Sequence, residues 1–424
     1  MARGRRASDG KIGRQLLWCV LLALFVAMGA CADDSQVSEV SQSSPISQIH
    51  YVRAAAVAGG NGNSWDSAFG HPQDALDVAL YGDQVWVAKG VYGPLHSDGR
   101  EVISLVNGVT VMGGFAGAEA EARQRDHSEH ITVLDGQGVS NHVVTGADEA
   151  VLDGFTVTGG YAVGNMPQSN NGGTFSGGGM FNSGVAPEIR NCLFVRNTAA
   201  FNGGAIFNED SDILIVDCVF EENTAYFGGA MDNRDSSPTV VNTKFRNNTA
   251  TVSGGAVSNF GGSPVFINAV FSGNRSEQVG GAVLSNKSND IFMNSSFVGN
   301  RAGQYGGGIG TWEGSVNLTN CILWDNRAMG GNGVSNVGGV VKVLYSIIEG
   351  GYAGTGNLDE NPGFKRNGQW DVAGSWVEGD YHMNSASPAV DSGTDSSAPD
   401  FDADYNPRPQ ALAHDMGAYE RSGP

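Results

Sequence analysis

Asp210 and Asp235 each stand seven residues after a Gly-Gly pair, and Lys287 holds the same offset two copies later, with Gly261 between. Asp212, Asp232 and Arg234 lie close by in sequence. Paired carboxylates near a basic side chain could eliminate across an acidic polysaccharide. A calcium ion held by the carboxylates would neutralise the substrate's acid, and Lys or Arg would remove the α-proton. The same residues also read as a solvated acidic turn in an acidic chain. A second constellation is Arg275, Arg301 and Arg327, one per copy of the same spacing. Three like charges about 5 Å apart repel one another, so the column suits tracking an acidic glycan. The plainer reading pairs them with acids such as Glu277 or Asp325. Third, Asp400, Asp402 and Asp404 alternate with Phe401 and Ala403 as carboxylates do in calcium loops. The stretch lacks the glycine and later glutamate of an EF-hand, leaving a calcium-stabilised loop or a plain acidic turn.

The eight histidines, at 50, 71, 96, 127, 130, 142, 382 and 414, all lie outside the repeats. A histidine base or histidine-held zinc on the repeat face is thereby excluded, and His127 and His130 read as solvated. Cys192 and Cys218 share a column on adjacent copies, within disulfide reach. The fixed distance between copies constrains the dihedral and favours two stacked thiols; Cys321 lies several copies away and is expected free. Gly-Gly pairs recurring at a fixed period are structural, so no nucleotide loop is read from them.

The elements that must position these groups come from one unit copied six times. Phe194, Phe220, Phe245, Phe271, Phe297 and Leu323 recur every 25 or 26 residues, each followed three positions on by Asn197, Asn223, Asn248, Asn274, Asn300 or Asn326. The glycine pairs start at Gly177, Gly203, Gly228, Gly254, Gly280 and Gly306 on the same step. Such a period means stacked units burying a continuous core. Five residues before each Phe is apolar (Ile189, Ile215, Val240, Phe266, Phe292, Leu318), and three before is Asn or Asp (Asn191, Asp217, Asn242, Asn268, Asn294, Asn320). Both apolar positions can face inward only if the strand bends between them, and Asn or Asp tolerates the left-handed conformation a bend needs. The Asn after each Phe reads as a second corner. The predicted fold is all-β: a single-stranded right-handed parallel β-helix, strands of successive turns hydrogen-bonding at about 4.8 Å.

Around this stack, 1–31 reads as a signal peptide, 32–48 as a flexible Ser/Gln-rich tether, 49–150 as an N-terminal cap with the first coils, 151–350 as regular repeats and 351–424 as an irregular C-terminal module. The cap should hold a helix near Gln73–Leu80 and strands at 84–88 and 109–112. Glycine is abundant, 63 of 424 residues, about twice the usual share, which without a triplet period means many tight turns. A net charge of −20 repels phosphate backbones and anionic headgroups, so nucleic acid is excluded as a partner.

Arg3, Arg5, Arg6, Lys11 and Arg14 precede an apolar run from Leu16 to Met28, too short for a comfortable membrane span. Met28-Gly29-Ala30-Cys31 resembles a bacterial lipobox, which implies lipidation at Cys31 and an outer-membrane lipoprotein; Ala30-Cys31-Ala32 also fits the rule of ordinary secretion, the second of the two readings. The repeats resemble the Gly-Gly-Ala-aliphatic and Phe-x-x-Asn repeats of chlamydial polymorphic outer-membrane proteins, in an architecture similar to the pectin-lyase-like superfamily. Val85-Trp86-Val87-Ala88-Lys89-Gly90-Val91-Tyr92, Gly113-Gly114-Phe115-Ala116-Gly117 and the closing segment from Ser387 to Glu420 resemble bacterial extracellular β-helix proteins of the choice-of-anchor Q type. The resemblance implies an extracytoplasmic monomer whose long face binds a polysaccharide or a cell-surface partner without catalysis. The same scaffold also carries polysaccharide lyases and hydrolases, with calcium as the possible cofactor.

Overall fold

A computed structural model describes residues 47–56, 59–95, 101–163 and 175–421. Nearly every strand pair is parallel and joins one copy of the repeat to the next, so the chain winds as a right-handed parallel β-helix. The ten-stranded sheet, one strand per coil from Gly90–Tyr92 to Ile347–Ile348, carries the phenylalanines. Register is kept side chain for side chain: Phe194 faces Phe220, then Phe245, Phe271, Phe297 and Leu323. All are fully buried. From Phe194 to Phe297 the rings stack at 4.6–5.1 Å within 12° of parallel. Phe266 and Phe292 form a second stack at 4.9 Å, edge-on to the first. Offset stacks and edge-to-face contacts are the two arrangements aromatic quadrupoles favour.

The bend expected three residues before each Phe is present. Asn191, Asp217, Asn242, Asn268, Asn294 and Asn320 all have φ between 46° and 57°. The asparagines after each Phe do something else. The left-handed residue at that corner is the one before them (Arg196, Glu222, Asn247, Gly273, Gly299, Asp325). The asparagines themselves point inward and form a ladder. Asn248 Oδ1 accepts from both the backbone N–H and the Nδ2 of Asn223, at 3.0 Å each, while Asn248 Nδ2 donates to Phe220 O at 2.9 Å. The pattern repeats from Asn197 to Asn326. A buried amide is tolerated because each of its polar atoms is paired.

A coil has four strands rather than three, as in 206–209, 214–216, 219–221 and 224–227. The first two belong to one 18-stranded sheet bent at a third left-handed corner, and the fourth to a six-stranded sheet. In two coils the bent pair merges into single strands, Val283–Met293 and Ile309–Thr319. The second glycine of each box lies where coils nearly touch: a Cβ on Gly229 would sit 2.3 Å from Gly255 O.

The N-terminal helix is Pro72–Leu76, shorter than expected, with His71 accepting the Gln73 N–H as its cap. It covers the first coil with Ala75 and Leu76, while Val78 and Leu80 are exposed. At the other end of the chain, two antiparallel strand pairs (Phe364–Arg366 with Asp380–Met383, Gln369–Trp370 with Trp376–Val377) fold back on the coils. Trp376, Met416 and Ala418 join Val270, Val298, Ile322 and Ile347 in a second core on the outer face of the phenylalanine sheet. The corner asparagines tie this module down: Asn268, Asn294 and Asn320 donate to the carbonyls of Phe401, Asp415 and Thr394 at 2.8–3.1 Å.

Candidate functional site

Asp210, Asp235 and Lys287 fall in one column, as their offsets imply, and that column is the third left-handed corner, with φ of 49°, 46° and 53°. All three are exposed. Aspartate has a backbone reason to stand here, since Asp and Asn enter this region at low cost. Lys287 lies two rungs from Asp235, about 10 Å at strand spacing, and is 3.7 Å from Glu313 of the next rung. Asp212 accepts the Ser237 N–H at 2.6 Å. The carboxylates are thus neighbours, and the base is drawn toward another acid.

The neighbouring Asp232 is fully buried. Arg234 Nε donates to its Oδ1 at 2.8 Å, and the same guanidinium lies 4.3 Å over Phe260 and donates to Asn202 at 2.9 Å. Burial pushes the Asp232 carboxyl up to about 6, with Arg234 opposing. Sequence reasoning missed Asp290 altogether. It terminates a second buried ladder, Asn182 to Asn208, Asn233, Asn259 and finally Asp290 Oδ2, each step 2.7–2.9 Å. Burial pushes its carboxyl up to about 7.

The arginine column is real. Arg275 pairs in register with Arg301, and Arg301 with Arg327. Below them the same column holds Tyr161, Thr198, Thr224 and Thr249, so hydroxyls run into guanidiniums along one face. The three arginines differ in their partners. Arg327 is held by Asp325 at 2.6 Å and Glu349 at 2.8 Å. Arg301 lies 4.4 Å over the Trp370 ring, and partial burial, offset by Asp325, draws its pKa down. Arg275 donates from Nε to Thr249 Oγ1 at 3.1 Å. Among the described residues neither Arg275 nor Arg301 makes an ion pair. Arg275 borders a cleft of about 210 Å³ between the six-stranded sheet and the Gln369–Val377 hairpin, shared with Glu222, Asn247, Thr249, Trp370 and Ser375. No repeat spacing could have disclosed it, because its second wall comes from a segment outside the repeats.

The C-terminal carboxylates do not converge. Asp402 is buried, and its two oxygens accept the N–H groups of Asp404, Asn406 and Glu420 and the Asn406 amide at 2.7–3.1 Å. Asp404 turns to His382 Nε2 at 2.7 Å, and the Asp400 carbonyl accepts from Arg408 N–H. Among the described residues no three His, Cys, Asp or Glu side chains are grouped to hold a metal. Cys192, Cys218 and Cys321 are buried free thiols, and burial beside Cys192 pushes Cys218 well up. Cys31 and the signal segment lie outside the described residues.

No protein-family model matches the sequence, and no curated protein matches it. Two solved structures are similar in outline. Pectate lyase Pel9A gives a TM-score of 0.48 at 14% identity, over 88% of this chain and 96% of that one. A rhamnogalacturonan lyase gives 0.41 at 12% identity, over 80% and 97%. Values this low leave function to be argued from this chain's own side chains.

Proposed function

We propose that the chain is an exported, monomeric β-helix protein that holds an acidic glycan on its arginine face and does not cleave it. The observation that carries this reading is the pair Arg275 and Arg301. They are stacked one rung apart, without an ion pair among the described residues, in a chain of net charge −20. Adjacent unpaired guanidiniums cost repulsion that an anionic ligand would relieve, and the guanidinium fork suits carboxylates. The threonine hydroxyls in the same column extend the face with neutral hydrogen-bonding groups. Anchoring through a lipid on Cys31, or free secretion, would present this face outside the cytoplasm.

The competing reading is a polysaccharide lyase or hydrolase built on Asp210, Asp235 and Lys287. It is the weaker one, because Lys287 is displaced by two rungs and lies near Glu313. Titration calorimetry with a polyuronate tests the proposal. Arg275→Ala combined with Arg301→Ala is expected to weaken binding at least tenfold, about 1.4 kcal/mol or more. Unchanged affinity would remove the arginine face from the site.

A further inference from the structure

We infer that the site accepts the end of an acidic saccharide chain rather than its interior, a step that rests on the glycan-binding reading above. The inference comes from where the hairpin meets the arginine column. Trp370 donates its indole N–H to Gly299 O at 2.8 Å and lays its ring against the Arg301 guanidinium. Trp376 rests on Gly273 and Gly299, where a Cβ would come within 2.1 and 1.9 Å of its ring atoms. The Asn247 side chain accepts the Trp376 N–H at 3.2 Å and donates to its carbonyl at 3.4 Å. The hairpin is therefore seated along three successive coils beside the arginine column, and its Trp370 reaches over that column at Arg301.

Of the three arginines only Arg275 borders the cleft that remains. Trp370 takes one face of the Arg301 guanidinium while the side chain stays exposed, and Arg327 is taken by Asp325 and Glu349. The cleft is about 210 Å³ and open on one side. That is the scale of one pyranose ring with its carboxylate. With Nε committed to Thr249, the outer N–H groups of Arg275 are left to grip a carboxylate in a forked pair. Two rungs down the opposite end presents Glu222, itself 3.7 Å from Arg196, as an acceptor for sugar hydroxyls. A chain continuing past Arg275 would run into Trp370. Acid at one end, guanidinium at the other and an indole wall beyond the guanidinium define a seat for a terminal, carboxylate-bearing sugar.

The test is calorimetry on the full chain with glucuronate and with polyglucuronate of two mean lengths differing about tenfold. Expressed per chain end, affinity should be the same for both polymers, so that per unit mass it falls about tenfold with the longer one. Arg275→Ala should weaken it at least tenfold for both polymers. Trp370→Ala, which frees the face of Arg301 that the indole occupies and removes the barrier past Arg275, should let the longer polymer bind more tightly per end than the shorter. Affinity per unit mass that holds constant or rises with length in the wild type would overturn end recognition while leaving glycan binding intact. No binding of any of the three probes would overturn both.

Discussion

Asp290 occupies a column that Pro187, Ile213, Pro238, Pro264 and Val316 fill in the other coils. Its carboxyl is the acceptor that ends the second amide ladder, because Ser285 stands where an asparagine would have continued it. The folded-state value of about 7 lies above the ordinary carboxyl range near 3.8. The stability this group contributes is therefore full below pH 4 and is lost as pH rises to about 7. Asp290→Asn keeps an acceptor for Asn259 and removes the charge. Denaturant unfolding should show the variant close to wild type at pH 4 and more stable by about 2 kcal/mol or more at pH 8. Equal stability at pH 8 would mean that the carboxylate is accommodated ionised. Asn248→Ala is expected to cost about 2–4 kcal/mol, since two donors of Asn223 and the Phe220 carbonyl lose their partner inside the core. At this scale the corner asparagines before each Phe were legible, because their type answers a backbone need. The ladder asparagines were misread as corners, because spacing records where a residue falls and not where its side chain points.

The coil behaves as an element in contact chiefly with its neighbours, so damage should stay local. Phe245 sits mid-stack between Phe220 and Phe271 at 4.9 and 4.8 Å. Phe245→Ala should cost about 3–5 kcal/mol and raise protease sensitivity near that coil, a loss under about 1 kcal/mol being inconsistent with its burial. The hairpin is a separate element with its own test. Gly299→Ala places a methyl against the Trp376 ring and strains a left-handed backbone position. It should expose Trp376 to fluorescence quenchers. The repeats themselves were readable because each copy states the same solution again. The docking of Trp376 on Gly273 and Gly299 was not, since it joins residues far apart that share no period. Glycine at those two places, where other copies carry Arg196, Glu222, Asn247 or Asp325, was the only trace of it.

Across the whole molecule, the C-terminal module covers the outer face of the phenylalanine sheet in the later coils. The long sheet's corner, with Asp210 and Asp235, and the arginine face remain as charged surfaces. On the reading proposed above, the arginine face binds the glycan and the aspartate corner does not catalyse. Incubating the purified protein with an acidic polysaccharide and calcium, while following both complex formation and the ultraviolet absorbance of unsaturated uronate ends, separates the two roles. Saturable binding, weakened by Arg275→Ala, is expected, with no absorbance gain over buffer. Steady release of unsaturated product that Asp210→Asn or Asp235→Asn abolishes, with the fold retained, would contradict it.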